Sequence, residues 1–154
     1  MKAQWYFEDF QPGQEVDLGR RTVTEDEIVA FAGQFDPQPF HIDAAAAAGS
    51  IYGGVIASGW HTCAMMMRMV VDGILCTESS MGSPGLEGVR WLQPVRAGDT
   101  LSVRYLTKAV KASASKPDRG VVWSTWVASN QRGETVCTIE GMAMFRRRLE
   151  ARDA

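Results

Sequence analysis

The stretch FDPQPFHID, residues 35–43, places Asp36 and His41 five positions apart on a segment that carries Pro37 and Pro39. A carboxylate and an imidazole with a pKa near ~6.5 can together hold one water and move protons at neutral pH. Further along, Ser58-Gly59 opens the apolar segment WHTCAMMMRMVVDGIL. A helix N-terminus presents unpaired N–H groups and a partial positive charge, and Gly59 has no side chain to block close approach. Such a terminus can hold a carbonyl oxygen that gains negative charge during a reaction. Acid, base and oxyanion donor are the parts needed to add water across a double bond conjugated to a carbonyl. Taken singly, Asp36 is a turn residue before proline and His41 a structural histidine. Their joint placement with Gly59 is what marks a candidate site.

The flanking residues must position this trio. Thr24 with Glu27 three residues on is a capping-box signature, and Ile28, Phe31 and Ala32 supply the apolar face of the helix it opens. That helix must stop before Pro37, and residues preceding prolines are pushed toward extended geometry, so Asp36 to His41 is expected to be stiff and non-helical. Asp43 suits the N-cap of the run Ala44 to Ala48, with Gly49 as its C′ stop. YGGVIASG, from Tyr52 to Gly59, reads as flexible. The helix beyond is apolar almost all round and should be enclosed on most sides, with His61, Arg68 and Asp72 on one narrow polar seam. On that seam His61 is read as structural.

After the Gly-rich connection Met81 to Gly85 the pattern turns to strands: Glu87 to Leu92, Leu101 to Tyr105 with period-2 alternation, Val121 to Ala128, and Thr135 to Phe145. Val16 to Val23 is a further strand at the front. Trp91, Trp123 and Trp126 read as sheet packing. One apolar helix followed by antiparallel strands predicts an α+β domain whose single sheet curls around that helix. With 154 residues and no repeat or composition break, residues 1–154 are expected to form one domain with its core at about 14–147.

The net charge of −2 gives no reason to expect nucleic acid or an anionic membrane as partner. Arg146, Arg147 and Arg148 are followed by Glu150 and Asp153 and read as a solvated chain end. Three unpaired cysteines, Cys63, Cys76 and Cys137, favour free thiols in a reducing compartment, and no apolar run is long enough to span a bilayer, so a cytoplasmic protein is expected. Two histidines and scattered cysteines do not make a zinc site.

The order Asp, two residues, Pro, any residue, His, here Asp36-Pro37-Gln38-Pro39-Phe40-His41, resembles the signature of the MaoC-like hydratases/dehydratases, which include the (R)-specific enoyl-CoA hydratases. The short helix from Asp43, the loop to Ser58, Gly59 at the long helix and WLQPVRAGDTL are similar to the elements downstream of the signature in that family. The resemblance implies the hotdog fold, a curved antiparallel sheet wrapped around a long central helix, as a homodimer. It implies syn hydration of a trans-2-enoyl thioester of CoA or an acyl carrier to the (R)-3-hydroxyacyl thioester, or the reverse, with no metal or redox cofactor. Asp36 and His41 would bind and activate the water, and the Gly59 amide would hold the thioester oxygen. Met65, Met66, Met67 and Met69 read by residue type as core filling, though methionine adapts to irregular cavities and suits the lining of an acyl pocket as well. Gln38 stands where the family often has Asn, and Ser58 where some members carry His. Two other readings stay open: a hotdog thioesterase, which would release free thiol, and a non-catalytic acyl-thioester-binding protein.

Overall fold

The computed structural model of the protein describes residues 4–148. A 3₁₀ turn (Phe7–Asp9) precedes strand β1 (Glu15–Thr22), and the helices α1 (Glu25–Phe35), α2 (Pro39–Ile42), α3 (Ala44–Ala48) and α4 (Gly59–Gly73) come next. The strands β2 (Leu86–Trp91), β3 (Thr100–Ala112), β4 (Arg119–Ser129) and β5 (Thr135–Arg146) follow. All five strands form one antiparallel sheet in the order β1-β3-β4-β5-β2, so β2, the first strand after α4, lies at an edge. At Gly19, whose φ of 87° suits glycine alone, β1 bulges between Asp17 and Arg20, and the Asp17 carboxylate accepts the Gly19 N–H.

The core lies between α4 and the inner face of the curved sheet. Met65, Met66, Met69 and Val70 of α4 meet the inward residues of β3, β4 and β5, including Leu101, Val103, Val122, Ala128 and Ile139. The alternation read in β3 is therefore an in-out alternation, and it holds from Leu101 to Thr107; the strand itself runs on to Ala112, past a register shift between Thr107 and Ala109. Burying Met66, Val70, Leu101 and Val103 completely stabilises by about 1.5–3 kcal/mol each for side chains of this size, before the entropy of ordering them is counted.

Several local expectations need correction. The segment from Asp36 to His41 is not wholly non-helical: Pro39 begins α2, and His41 sits within it. Proline restrains the residue before it, but at the first helical position its fixed φ favours the helix and its missing N–H has no partner to lose. The stretch read as flexible is threaded through the interior at Val55 to Ser58, pinned by the Ile56 N–H on the Phe40 carbonyl (3.2 Å) and the Ala57 N–H on the Val95 carbonyl (2.8 Å). The polar seam of α4 is split, because Arg68 and Asp72 form an exposed ion pair while His61 is buried and stacked on Phe31 at 4.7 Å. The arginines near the C-terminus are exposed to solvent, as read, but Arg147 and Arg148 are also paired, with Glu8 and Asp9 of the 3₁₀ turn respectively. Glu150 and Asp153 lie outside the described residues. Among the described residues no helix is long and apolar enough to cross a membrane.

Candidate active site

The dyad is held by three local devices. The Thr24–Glu27 capping box starts α1, and the Asp36 N–H closes it on the Ala32 carbonyl at 2.8 Å. The next turn, α2, carries His41 and ends at Asp43, whose carboxylate accepts the Ala45 and Ala46 N–H groups and starts α3. Two prolines and two caps thus fix the chain on both sides of Asp36 and His41. The third device is the buried strand-like segment Val55–Ser58, which delivers Gly59 to the start of α4.

In this frame the His41 Nε2 lies 3.2 Å from the Asp36 Oδ2. The other ring nitrogen, Nδ1, lies 2.6 Å from the Ile56 carbonyl oxygen, which can only accept, so Nδ1 carries a hydrogen. A neutral His41 therefore presents a bare lone pair at Nε2 toward the carboxylate. Two acceptors at 3.2 Å repel unless a proton lies between them, so the pair is built to carry one proton or to grip a donor. Asp36 has two further donors: the Gln38 Nε2 amide on Oδ1 and the Ser58 hydroxyl on Oδ2, both at 2.7 Å. The Gln38 amide and then the Ser58 hydroxyl hold the Asp36 carboxyl below the usual carboxylate range, keeping it charged at neutral pH.

Ser58 is the N-cap residue of α4, yet its hydroxyl makes no cap hydrogen bond, being spent on Asp36. Among the described residues the first N–H groups of α4 have no side-chain cap, and Gly59 lines the same cleft as Asp36 and His41. That cleft, of 410 Å³, is closed on its other side by Tyr52, Trp60, Trp91 and the turn Leu92–Val95. Trp91 lies directly over Gly59: its indole N–H donates to the Gly59 carbonyl at 2.9 Å. Beyond Trp60 lies a second, strongly apolar cavity of 430 Å³ between α4 and the sheet, lined among others by Met67, Val70, Tyr105, Trp126 and Phe145.

The structure brings Asp36, His41 and Gly59 together, as the sequence motif requires. Of the four methionines, Met67 lines the apolar cavity, while Met65, Met66 and Met69 fill the core. Trp126 packs against the core and lines the apolar cavity, and Trp91 is more than sheet packing because it covers the mouth of α4. His61 stays outside the cleft. Its Nδ1 is buried without a partner among the described residues, and burial pushes its pKa down. The connection Met81 to Gly85 is stitched to β5 through Met81, Gly82 and Ser83, and Gly82 and Ser83 border the apolar cavity. Sequence reasoning missed the Ser58–Asp36 bond and the Ile56 carbonyl. The first could have been suspected from a serine at a helix start beside the motif; the second leaves no mark in residue types.

A long apolar helix cradled in a curved five-stranded antiparallel sheet defines a hotdog domain, and here a carboxylate–imidazole pair sits beside the helix N-terminus. The chain belongs to the MaoC-like domain family, whose family model matches residues 9–142. It is 34% identical over 121 residues to protein MaoC of Klebsiella aerogenes, a match covering 77% of this chain and only 36% of that relative's length. Its fold is similar to the crystal structure of a MaoC-like dehydratase from Rhodospirillum rubrum, with a TM-score of 0.86 and 42% identity over 94% of this chain and 99% of that one. An (R)-hydratase from A. caviae involved in PHA biosynthesis shares the fold, with a TM-score of 0.68 and 23% identity over 88% of this chain and 96% of that one.

Proposed function

We propose that this chain catalyses the reversible syn hydration of trans-2-enoyl thioesters, of CoA or an acyl carrier, to (R)-3-hydroxyacyl thioesters. The observation that carries the reading is the dyad geometry, with Nδ1 of His41 committed to the Ile56 carbonyl and Nε2 turned to Asp36 at 3.2 Å. Two converging acceptors hold a water by its hydrogens and leave its oxygen lone pair free to attack. The water oxygen bonds to C3 of the enoyl group as one of its protons passes to the dyad. The C2–C3 electron pair moves toward the thioester, whose oxygen becomes an enolate and is met by the uncapped Gly59 N–H. The dyad then delivers a proton to C2, so that H and OH have been added across the bond. Because water and proton come from the same pair of side chains, both arrive on one face, which is syn addition. The acyl chain extends past Trp60 into the cavity between α4 and the sheet, whose lining is predominantly apolar.

A second copy of the chain is proposed as the partner. Among the described residues strand β2 is an edge strand with one side of its N–H and C=O ladder unpaired by another strand, and Leu86 and Leu92 beside it stand 54% and 51% exposed. Light scattering at several concentrations tests this, a monomer at all of them refuting it.

The activity is tested with a panel of trans-2-enoyl-CoA esters, following loss of the conjugated-thioester absorbance and free thiol in parallel, with the chirality of the product determined. Absorbance loss without thiol, giving the (R)-alcohol, is the expected result. Thiol release identifies a thioesterase instead, and binding without turnover across the panel identifies a carrier of acyl thioesters.

A further inference from the structure

The catalytic cleft and the apolar cavity, of similar size, are lined by different residues with one exception: among the described residues Trp60 alone borders both. Its indole meets that of Trp91 edge to face, with ring centroids 5.5 Å apart and an interplanar angle of 77°. The two rings are not held alike. Trp91 is fixed by its N–H on the Gly59 carbonyl at 2.9 Å, and a side chain at residue 59 would run into its ring. Trp60 is 61% exposed, and its indole nitrogen has no hydrogen-bond partner among the described residues.

From this asymmetry we infer that Trp60 and Trp91 form a gate between the dyad and the apolar cavity, and that the gate sets which acyl chains the site accepts. The inference rests on the thioester reading of the cleft. Trp91 is the fixed jamb and Trp60 the leaf that turns. With its carbonyl at the Gly59 N–H and C3 at the dyad, a four-carbon acyl group ends within the cleft and leaves the gate shut. A longer chain must turn Trp60 away from Trp91 before its methylenes reach apolar surroundings. Each methylene then taken up favours binding by about fourfold, while breaking the edge-to-face pair weakens it by about two- to tenfold. The gate thus disfavours chains just long enough to open it, and releases that penalty for those long enough to fill the cavity.

Both residues act through access, so the test is a comparison across chain lengths that does not need turnover. Butanoyl-, octanoyl- and dodecanoyl-CoA, saturated and therefore inert to hydration, are titrated calorimetrically into wild type, Trp60→Ala and Trp91→Phe. Trp60→Ala is expected to tighten the octanoyl and dodecanoyl esters by about two- to tenfold relative to the butanoyl ester. Trp91→Phe, which keeps a ring but loses the bond to Gly59, is expected to shift the ratio the same way by less. Equal changes for all three esters, no change, or no binding of any ester to wild type would each overturn the gate. Wild type that binds with chain-length selection yet hydrates no enoyl ester refutes the hydratase reading while leaving the gate in place. Hydration by wild type with an unmoved ratio in Trp60→Ala removes the gate alone.

Discussion

Gly59→Ala is the perturbation whose cost can be worked most directly from the structure. A methyl at this position would stand 2.5 Å from Cε2, 2.6 Å from Nε1 and 2.9 Å from Cδ2 of Trp91. Carbon atoms in contact sit about 3.5–4.0 Å apart, so the indole must retreat by roughly 1 Å. That carries Nε1 from its 2.9 Å bond with the Gly59 carbonyl out of hydrogen-bonding range. Losing the bond costs about 0.5–1.5 kcal/mol, and the overpacking costs about 1–3 kcal/mol, toward the lower end because Trp91 is partly exposed. Alanine returns at most about 1 kcal/mol through helix propensity. The net expectation is a loss of about 1–3 kcal/mol, read as a lowered urea midpoint at unchanged m-value. The decisive comparison is the same substitution in a Trp91→Ala background. With the indole gone there is no clash and no bond to lose, so Gly59→Ala should there be neutral or stabilising by up to ~1 kcal/mol. The cycle must therefore be non-additive by more than the ~0.5 kcal/mol seen between independent sites. An equal loss in both backgrounds would refute the account of why this position is glycine.

Asp36→Asn and His41→Ala should each lower hydration of enoyl-CoA by about 10²–10⁴-fold while the far-ultraviolet circular dichroism stays that of wild type; near-normal turnover in both would sink the dyad. Ser58→Ala removes one of the donors that keep the Asp36 carboxyl low, so its pKa should rise. Activity that needs the carboxylate should then be lost at a higher pH on acidification, with Ser58→Thr restoring the wild-type acid limb of the kcat/KM profile. His61 titrates below its ordinary value because it is buried. Above pH ~6.5 it is neutral folded and unfolded and contributes no pH dependence. Below that pH the unfolded chain takes up the proton first, so stability falls as pH drops toward the lowered native pKa, by at most about 1.4 kcal/mol per pH unit. His61→Phe, which keeps the ring against Phe31, should flatten urea midpoints over that window; an unchanged slope would show the imidazole to be free to ionise in place.

Much of this protein is written locally. Thr24 with Glu27, and Asp43 before its alanines, cap their helices because a side-chain oxygen there reaches orphan N–H groups within three residues. The strands declare themselves by alternation, since side chains of a strand with one buried face must alternate in polarity. The motif from Asp36 to His41 could be read because its spacing and prolines act over a single turn. Where two local rules applied to one residue, as at Pro39, the sequence alone did not choose between breaking the chain and starting a helix. What tertiary structure decided lies between elements distant in the chain. Ser58 gives up its helix cap for Asp36, Ile56 turns a carbonyl to His41, and Trp91 crosses from β2 to cover Gly59. His61 is buried while Arg68 on the same seam is exposed, because α1 lays Phe31 over one end of α4 only. Residue type and spacing hint at the first of these, through a serine at a helix start, and leave no mark of the rest. Those depend on the direction of a backbone carbonyl and on the few ångströms between packed elements, which the curvature of the sheet around α4 sets.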